Sequence, residues 1–318
     1  MTVASPPGLV TVGETLVLLT TREPGRLRHA HELLMSVGGA ESNVAIGVSR
    51  LGLPATWIGR LGDDELGELI ARTLRAERVA VDATIDPQAP TSLMVKERDG
   101  AAAARVSYYR ATGPGSRLRP DDLDRDAIAA AGVLHLTGIT PALSASARET
   151  TEAALETARA AGVPVSFDLN LRTRLWEPAV AAPVLLDLAA RADHLFVGVD
   201  EAAALGWPTA PEQLGAWLLE RGPRVVVVKR GADGAVAFDA DGVHPVAPVP
   251  VEAVDPVGAG DAFAAGYLAE LLSGAPLQRR LTTAAACGAL ACTGRGDWES
   301  LPTRAELERL GRPAEVVR

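Results

Sequence analysis

The run Asp255-Pro256-Val257-Gly258-Ala259-Gly260-Asp261-Ala262-Phe263 joins three small residues to an apolar, helix-periodic segment and sets an aspartate at the helix start. Without bulky side chains at Gly258, Ala259 and Gly260, backbone N–H groups can converge on one point. The first helical turn adds donors that have no acceptor within the helix, together with the positive end of its dipole. Such a turn suits a multiply charged anion. A carboxylate beside it does not help to bind phosphate, so Asp261 points to a second task. It would be a base that takes a hydroxyl proton while the turn steadies a phosphoryl group in transfer. The competing explanation is a tight strand-to-helix turn with Asp261 as an ordinary cap.

Two further glycine-rich segments carry candidate chemistry. Gly38-Gly39-Ala40-Glu41-Ser42-Asn43 precedes a helical run ending at Leu51-Gly52. The paired glycines bring backbone close to a small ligand, and Asn43 offers a donor and an acceptor to a hydroxylated substrate. Helix capping by Ser42 or Asn43 accounts for the same residues equally well. Lys229-Arg230-Gly231-Ala232-Asp233-Gly234 follows the most apolar strand-like run, Arg224-Val225-Val226-Val227-Val228. It shapes a nucleotide pocket or is a plain turn. It matches neither the P-loop nor the dinucleotide fingerprint, and the chain has no Gly-Lys-Ser/Thr.

Composition narrows the class. A chain of 318 residues, 47% hydrophobic, has material for one large or two modest domains with a sizeable core. Its apolar runs fall short of the roughly 20 residues of a membrane span. The start MTVASPPGLV lacks the basic and apolar stretches of a signal peptide, so a cytoplasmic enzyme with no membrane partner is expected. A net charge of −9 with scattered basic residues argues against nucleic acid as a partner. Cys287 and Cys292 have no metal or redox spacing, and His29-Ala30-His31 reads as a surface loop.

Positioning such segments requires a scaffold, and the second half of the chain supplies its pattern. Strands are predicted at 132–136, 163–167, 194–197 and 224–228, alternating with helices at 144–161, 178–191 and 211–221. Short apolar runs separated by helices predict an α/β fold: a mostly parallel central sheet with helices on both faces. Ligands of such folds gather at the carboxyl ends of the strands. The first third reads as β-rich material, with strands at 15–21, 92–97 and 104–110 around helices at 41–52 and 64–78. It is expected to form a small β-sheet lid, drawn from about 14–37 and 91–111, within a single domain spanning 1–318.

Taken together, the motifs resemble those of the ribokinase-like (PfkB) carbohydrate kinases over roughly 8–312. Gly38-Gly39, Asn43, Leu51-Gly52, Ile58-Gly59-Arg60-Leu61-Gly62-Asp63-Asp64 and Gly67 are similar to the first family signature, and 255–267 to the second. The resemblance implies a ribokinase-like fold with a β-sheet lid over the sugar. It further implies Gly258-Ala259-Gly260 as the anion hole and Asp261 as the catalytic base that also touches the substrate. ATP would bind along Lys229, Gly231, Gly234, Gly258, Gly260, Ala285 and Gly288, with Mg²⁺ near Glu201, directly or through water. A K⁺ ion near the nucleotide loop stays open, and association of two copies through the lid is expected.

Within that family, Ser107-Tyr108-Tyr109-Arg110, the segment 167–176 and Gly294-Arg295-Gly296-Asp297-Trp298-Glu299 resemble the 2-keto-3-deoxygluconate kinases. Gly38, Gly39, Asn43, Tyr109, Arg110 and Arg172 would then contact the substrate. The chemistry agrees: a keto acid carries a carboxylate that a guanidinium can grip, whereas a neutral sugar does not call for two arginines. Some positions depart from the family pattern. Gly198 stands where the metal-site motif has Asn, Met94 where related kinases have a sugar-facing tyrosine, and Gly13-Glu14 where Gly-Asp is common. A fructokinase or other neutral-sugar kinase, and a non-catalytic sugar sensor, stay open as alternatives.

Overall fold

A buried parallel strand needs apolar, β-branched residues on both faces, and the run Val225-Val226-Val227-Val228 is the clearest case in this chain. The computed structural model describes residues 7–97 and 105–310. Its strands are β1 (Leu9–Val12), β2 (Leu16–Thr21), β3 (Leu33–Gly38), β4 (Ala55–Gly62), β5 (Ala80–Asp86), β6 (Leu93–Glu97), β7 (Arg105–Tyr109), β8 (Val133–Thr137), β9 (Val165–Asp168), β10 (His194–Gly198), β11 (Val225–Lys229), β12 (Ala235–Asp239) and β13 (Gly242–Val246).

Nine strands form one sheet in the order β13-β12-β11-β10-β9-β8-β1-β4-β5. It is parallel from β5 to β11 and ends in the antiparallel hairpin β12–β13. One face is covered by the helices Ala40–Arg50, Ala259–Leu272 and Leu277–Ala291, packed on Trp57, Phe196 and Val227. The other carries Ala145–Ala160, Pro178–Ala190 and Pro211–Leu219, packed on Leu136, Phe167 and Val228. The chain leaves β1 in opposite directions toward β4 and β8, so the crevice at this reversal opens at the strands' carboxyl ends.

The first third divides differently from the sequence expectation. β1, β4 and β5 belong to the large sheet, with β1 third from the edge that β5 forms. β1 has only four residues, and β4 interrupts its apolar positions with Gly59 and Gly62, so neither shows a long strand pattern. The four strands β3-β2-β6-β7 form a second, mixed sheet, with β2 and β6 parallel. Ala104, where a strand was expected to begin, lies outside the described residues.

This small sheet is tied to the body by specific bonds. Trp298 Nε1 donates to the Val37 carbonyl at 3.0 Å, and Arg174 donates to the Val106 carbonyl at 2.6 Å. The segment carrying Trp298 is held in turn by Arg50, at the far end of the helix Ala40–Arg50. Its Nη1 donates to the carbonyls of Trp298, Glu299 and Leu301 at 3.2, 3.1 and 2.7 Å, while Nε and Nη2 pair with Glu77 at 2.8 and 3.1 Å. Replacing Arg50 by Met strands the Glu77 carboxylate and three carbonyls at once. R50M is expected to lower the unfolding free energy by about 2 kcal/mol, read from urea denaturation. An unchanged midpoint would show that the segment 298–301 is held by other contacts.

Candidate active site

Residues opposite each other in a parallel sheet share a face, and the register collects polar side chains at one end of one face. Thr137 ends β8, Asp168 ends β9 opposite it, and Lys229 ends β11 beside Gly198. The Lys229 ammonium donates to both Asp168 oxygens, at 2.8 and 2.7 Å. Burial pulls the Lys229 pKa down, but Asp168 and Glu201 outweigh it and leave the group raised and charged. A Cβ on Gly260 would lie 3.6 Å from this ammonium, so Lys229 sits against the Gly258–Gly260 turn itself.

The helix Ala259–Leu272 begins where the sequence places it, with Gly258 as its cap at φ 77°. A side chain at Gly258 would be left-handed, and its Cβ would fall 2.0 Å from the Asp297 carbonyl. Only glycine meets both demands. The helix provides no acceptor for the N–H groups of Gly260 and Asp261, and the positive charge of Lys229 lies beside them. This is a geometry for an anion.

Asp261 is fixed from a distant part of the chain: Asn43 Nδ2 donates to its Oδ2 at 2.8 Å. Asn43 is buried in the first turns of the helix Ala40–Arg50, so the two glycine-rich segments meet at this bond. Burial pushes the Asp261 carboxyl up to about 6, and Asp168 adds to the rise, against the Asn43 bond, Arg172 and Lys229. Glu41, on the same helix turn, is buried and accepts from Thr137 Oγ1 and Thr140 Oγ1 at 2.7 Å each. Desolvation raises it to about 7, with a contribution from Asp261.

Gly38 closes the other wall of the cleft. A Cβ there would lie 2.7 Å from Asp297 Oδ2 and 3.5 Å from Met94. Gly39 is equally confined, its Cβ position falling 2.4 Å from the Glu14 carbonyl. Asp297 is buried, its Oδ1 has no hydrogen-bond partner, and desolvation raises its pKa to about 7. A buried carboxyl with a free oxygen is a recognition group for hydroxyls. Sequence reasoning quoted Asp297 as part of a tail motif without assigning it a contact, because its proximity to Gly38 and Gly258 depends on tertiary packing.

The register separates the two lid tyrosines. Tyr108 pairs with Met94, and Met94 with Leu18, which in turn opposes Ser36, so Tyr108 is on the face that holds Gly38. Tyr109, the expected substrate contact, projects from the opposite face and is 62% exposed. The Arg110 guanidinium lies 5.3 Å from the Tyr108 ring and pairs with the buried carboxylate of Glu14, leaving its Nε without a partner. Arg172 is exposed, influences Asp261 electrostatically, and forms no ion pair among the described residues.

The nucleotide-side residues divide in the same way. Gly231 and Gly234 flank a one-turn 3₁₀ segment, both with positive φ. Gly288 packs against the start of the helix Ala259–Leu272, its Cβ position 3.2 Å from the Ala259 carbonyl, and Ala285 is buried one turn earlier. Glu201 accepts from Gly198 N at 2.6 Å and from Leu171 N at 2.8 Å. Both oxygens therefore serve the backbone, and no cluster of three or more metal-binding side chains occurs among the described residues. A metal here would take most of its ligands from phosphate and water, as Mg²⁺ commonly does.

A model of pfkB family carbohydrate kinases matches residues 7–304. The chain belongs to that family. It is a carbohydrate kinase with the ribokinase-like fold. It is 36% identical to the 2-dehydro-3-deoxygluconokinase of Bacillus subtilis over 94% of this chain and 93% of that protein. It is also 36% identical to a fructokinase of Klebsiella pneumoniae, over 94% of this chain and 97% of the relative. The crystal structure of 2-dehydro-3-deoxygluconokinase from Thermotoga maritima superposes with a TM-score of 0.89 at 26% identity, covering 96% of this chain and 99% of that one. An E. coli putative ribokinase II in complex with ATP and Mg²⁺ superposes at 0.87 with 27% identity, over 95% and 98%.

The raised Asp261 pKa has two measurable consequences in this carbohydrate kinase. If Asp261 is the base it must be ionised, so kcat/KM is expected to fall as pH drops through about 6, and not through the ordinary aspartate value. The native state also retains the proton between the unfolded value and about 6, so stability contributed by the neutral form is lost as pH rises through that window. Asp261→Asn should therefore melt above the wild type at pH 7.5, with the difference vanishing near pH 4. A variant equally stable or less stable at pH 7.5 would show that Asp261 is not under electrostatic strain.

Proposed function

We propose that the protein transfers the γ-phosphoryl group of ATP to a hydroxyl of a 2-keto-3-deoxy sugar acid, 2-keto-3-deoxygluconate being the best match, to form the 6-phosphate. The observation that carries the kinase chemistry is the Asn43–Asp261 bond. It engages Oδ2 and leaves Oδ1 for the substrate hydroxyl, next to a turn built for an anion. Asp261 accepts the hydroxyl proton as the oxygen attacks phosphorus. The N–H groups of Gly260 and Asp261, with Lys229, face the charge that grows on the transferred group. Bound Mg²⁺ would supply further neutralisation of the phosphates, and Glu201 would be the residue to meet it, through water. Gly38, Gly39, Asn43 and Asp297 line the sugar side, and Tyr108 replaces Tyr109 as the aromatic contact.

The substrate class rests on Arg172. A guanidinium close enough to lower the base's pKa, yet outside any ion pair among the described residues, suits the carboxylate of a sugar acid. The similarity to the Bacillus subtilis enzyme supports the same class. One observation favours a neutral sugar: Arg110 is already committed to Glu14, which leaves a single free guanidinium where two were expected. The fructokinase relative keeps this second reading in play. The exposed Leu33, Leu34 and Met35 on the edge strand β3 are proposed to carry a lid-to-lid contact between copies.

Two measurements test these assignments. Asp261→Asn should lower kcat by about 10³-fold or more, with nucleotide affinity retained; near-normal turnover would remove Asp261 as the base. In a coupled assay over keto-deoxy acids and neutral ketoses, Arg172→Ala should raise KM for the acid by about 10- to 100-fold. KM for fructose should stay unchanged. Equal effects on both would exclude a carboxylate grip, and activity on fructose alone would select the neutral-sugar reading.

A further inference from the structure

The chain contains two lysines among its 31 Lys and Arg residues, and both lie beside the catalytic turn. Lys229 has its place in the chemistry above. Lys96 does not. It stands on the lid strand β6, shares a face with Met94 and Tyr108, and is 6% exposed. Its ammonium reaches across to the body and donates to Asp255 Oδ2 at 2.6 Å. Asp255 opens the segment that forms the anion turn, and its Oδ1 accepts from Val257 N at 3.2 Å. The buried Asp297 carboxyl also feels the Lys96 charge. The position therefore joins the lid, the loop leading into the anion turn, and the carboxyl that borders Gly38.

We propose that Lys96 is a positioning residue, an electrostatic latch that fastens the lid to the Asp255–Asp261 turn and offsets the negative charge of Asp255 and Asp297 beside the anion site. Its link to turnover rests on the kinase reading above. The physical need is plain: Asp255, Asp261 and Glu299 all bear on the buried Asp297 carboxyl at this end of the cleft, where a polyanion must also bind. A carboxylate left without its cation in such a place repels the ligand and opens the lid to water. An ammonium fits because it is a compact point charge on a flexible stem, whereas the planar guanidinium used almost everywhere else in this chain needs a wider partner surface.

The two-lysine composition permits a test that needs no catalysis. Brief acetylation with an amine-directed reagent, read by peptide mass spectrometry, reports Lys96 and Lys229 separately. Asp255→Asn should speed modification of Lys96 at least about fivefold, with Lys229 unchanged; a wild-type rate at Lys96 in this variant overturns the latch. For turnover, Lys96→Ala should lose about tenfold in kcat/KM. It should recover in part with ethylammonium chloride and not with choline chloride at the same ionic strength. A loss that ethylammonium does not relieve overturns the cationic role. Lys96→Met/Asp255→Asn, which removes the stranded carboxylate but does not restore the latch, should lose less kcat/KM than Lys96→Met alone and stay below the wild type; a double variant no better than Lys96→Met, or fully active, would contradict the proposal. If the wild type phosphorylates no sugar or sugar acid, the kinase reading fails while the labelling result still decides the latch.

Discussion

The constraint on which this structure turns is an excess of carboxylates around a site made for an anion. Asp168, Asp261, Asp297, Glu14 and Glu41 are buried or half-buried at one end of the cleft. Desolvation drives Asp261, Asp297, Glu14 and Glu41 all upward. Left alone, such a cluster would protonate or repel its ligand. Asp297 has only the charge of Lys96 to offset it, and the other four each have a hydrogen-bonding counterweight. Lys229 answers Asp168, Arg110 answers Glu14, and hydroxyls of Thr137 and Thr140 serve Glu41. Among the described residues, Asp261 receives only the neutral amide of Asn43 as a side-chain hydrogen-bond donor. That difference matters chemically. A guanidinium or ammonium paired directly with the base would depress its pKa and reduce its drive to take a proton, while an amide orients it without adding charge.

Sheet topology explains how so many charges come to share one place. The parallel strands β1, β8, β9, β10 and β11 all end at the same edge, and the chain reverses direction of progress between β4 and β8. Two helix starts, at Ala40 and Ala259, are delivered to that edge on the same face. The helix termini bring unpaired donors, and the strand ends bring Thr137, Asp168 and Lys229. The small sheet then adds Gly38, Met94, Lys96 and Tyr108 from above. Tight packing sets the tolerances: the clash distances at Gly38 and Gly258 both involve Asp297, so one residue determines how closely the sugar wall and the phosphate turn approach.

Legibility in the sequence followed the range of the interactions. The anion turn and its aspartate could be read locally, since a small-residue run before an apolar helix has few physical meanings. The β-α alternation after residue 127 was equally clear, because each strand is buried on both faces. The Asn43–Asp261 bond spans 218 residues and has no local signal, and the family resemblance placed both residues at the substrate without joining them. Asp168 and Asp297 had no local pattern that distinguishes a site residue from a capping or core one. The choice between Tyr108 and Tyr109 depends on strand register, where a one-residue shift reverses the face. β1 and β4 were assigned to no sheet because four residues, or a strand broken by glycines, give too short a period to detect.

Substrate choice is where these electrostatics become selective. Arg110 and Arg172 look interchangeable in sequence, yet they occupy opposite situations. Arg110 is largely buried and bonded to Glu14, so most of its charge is spent on a neighbour and its orphan Nε offers one directed hydrogen bond. Arg172 is solvent-facing and forms no ion pair among the described residues, so it could meet an incoming carboxylate at little desolvation cost to itself. A sugar acid brought to Arg172 would place its negative end near a cation that also lowers the pKa of the base. If the proposed acid neutralises Arg172, the Asp261 pKa would rise, and Asp261 would be a stronger base in the complex than in the free protein. A neutral sugar offers no such compensation. On the proposed reading, the arrangement would link recognition of an acid to activation of Asp261 through a single guanidinium, a physical reason for such a cleft to take an anionic substrate despite its excess of carboxylates.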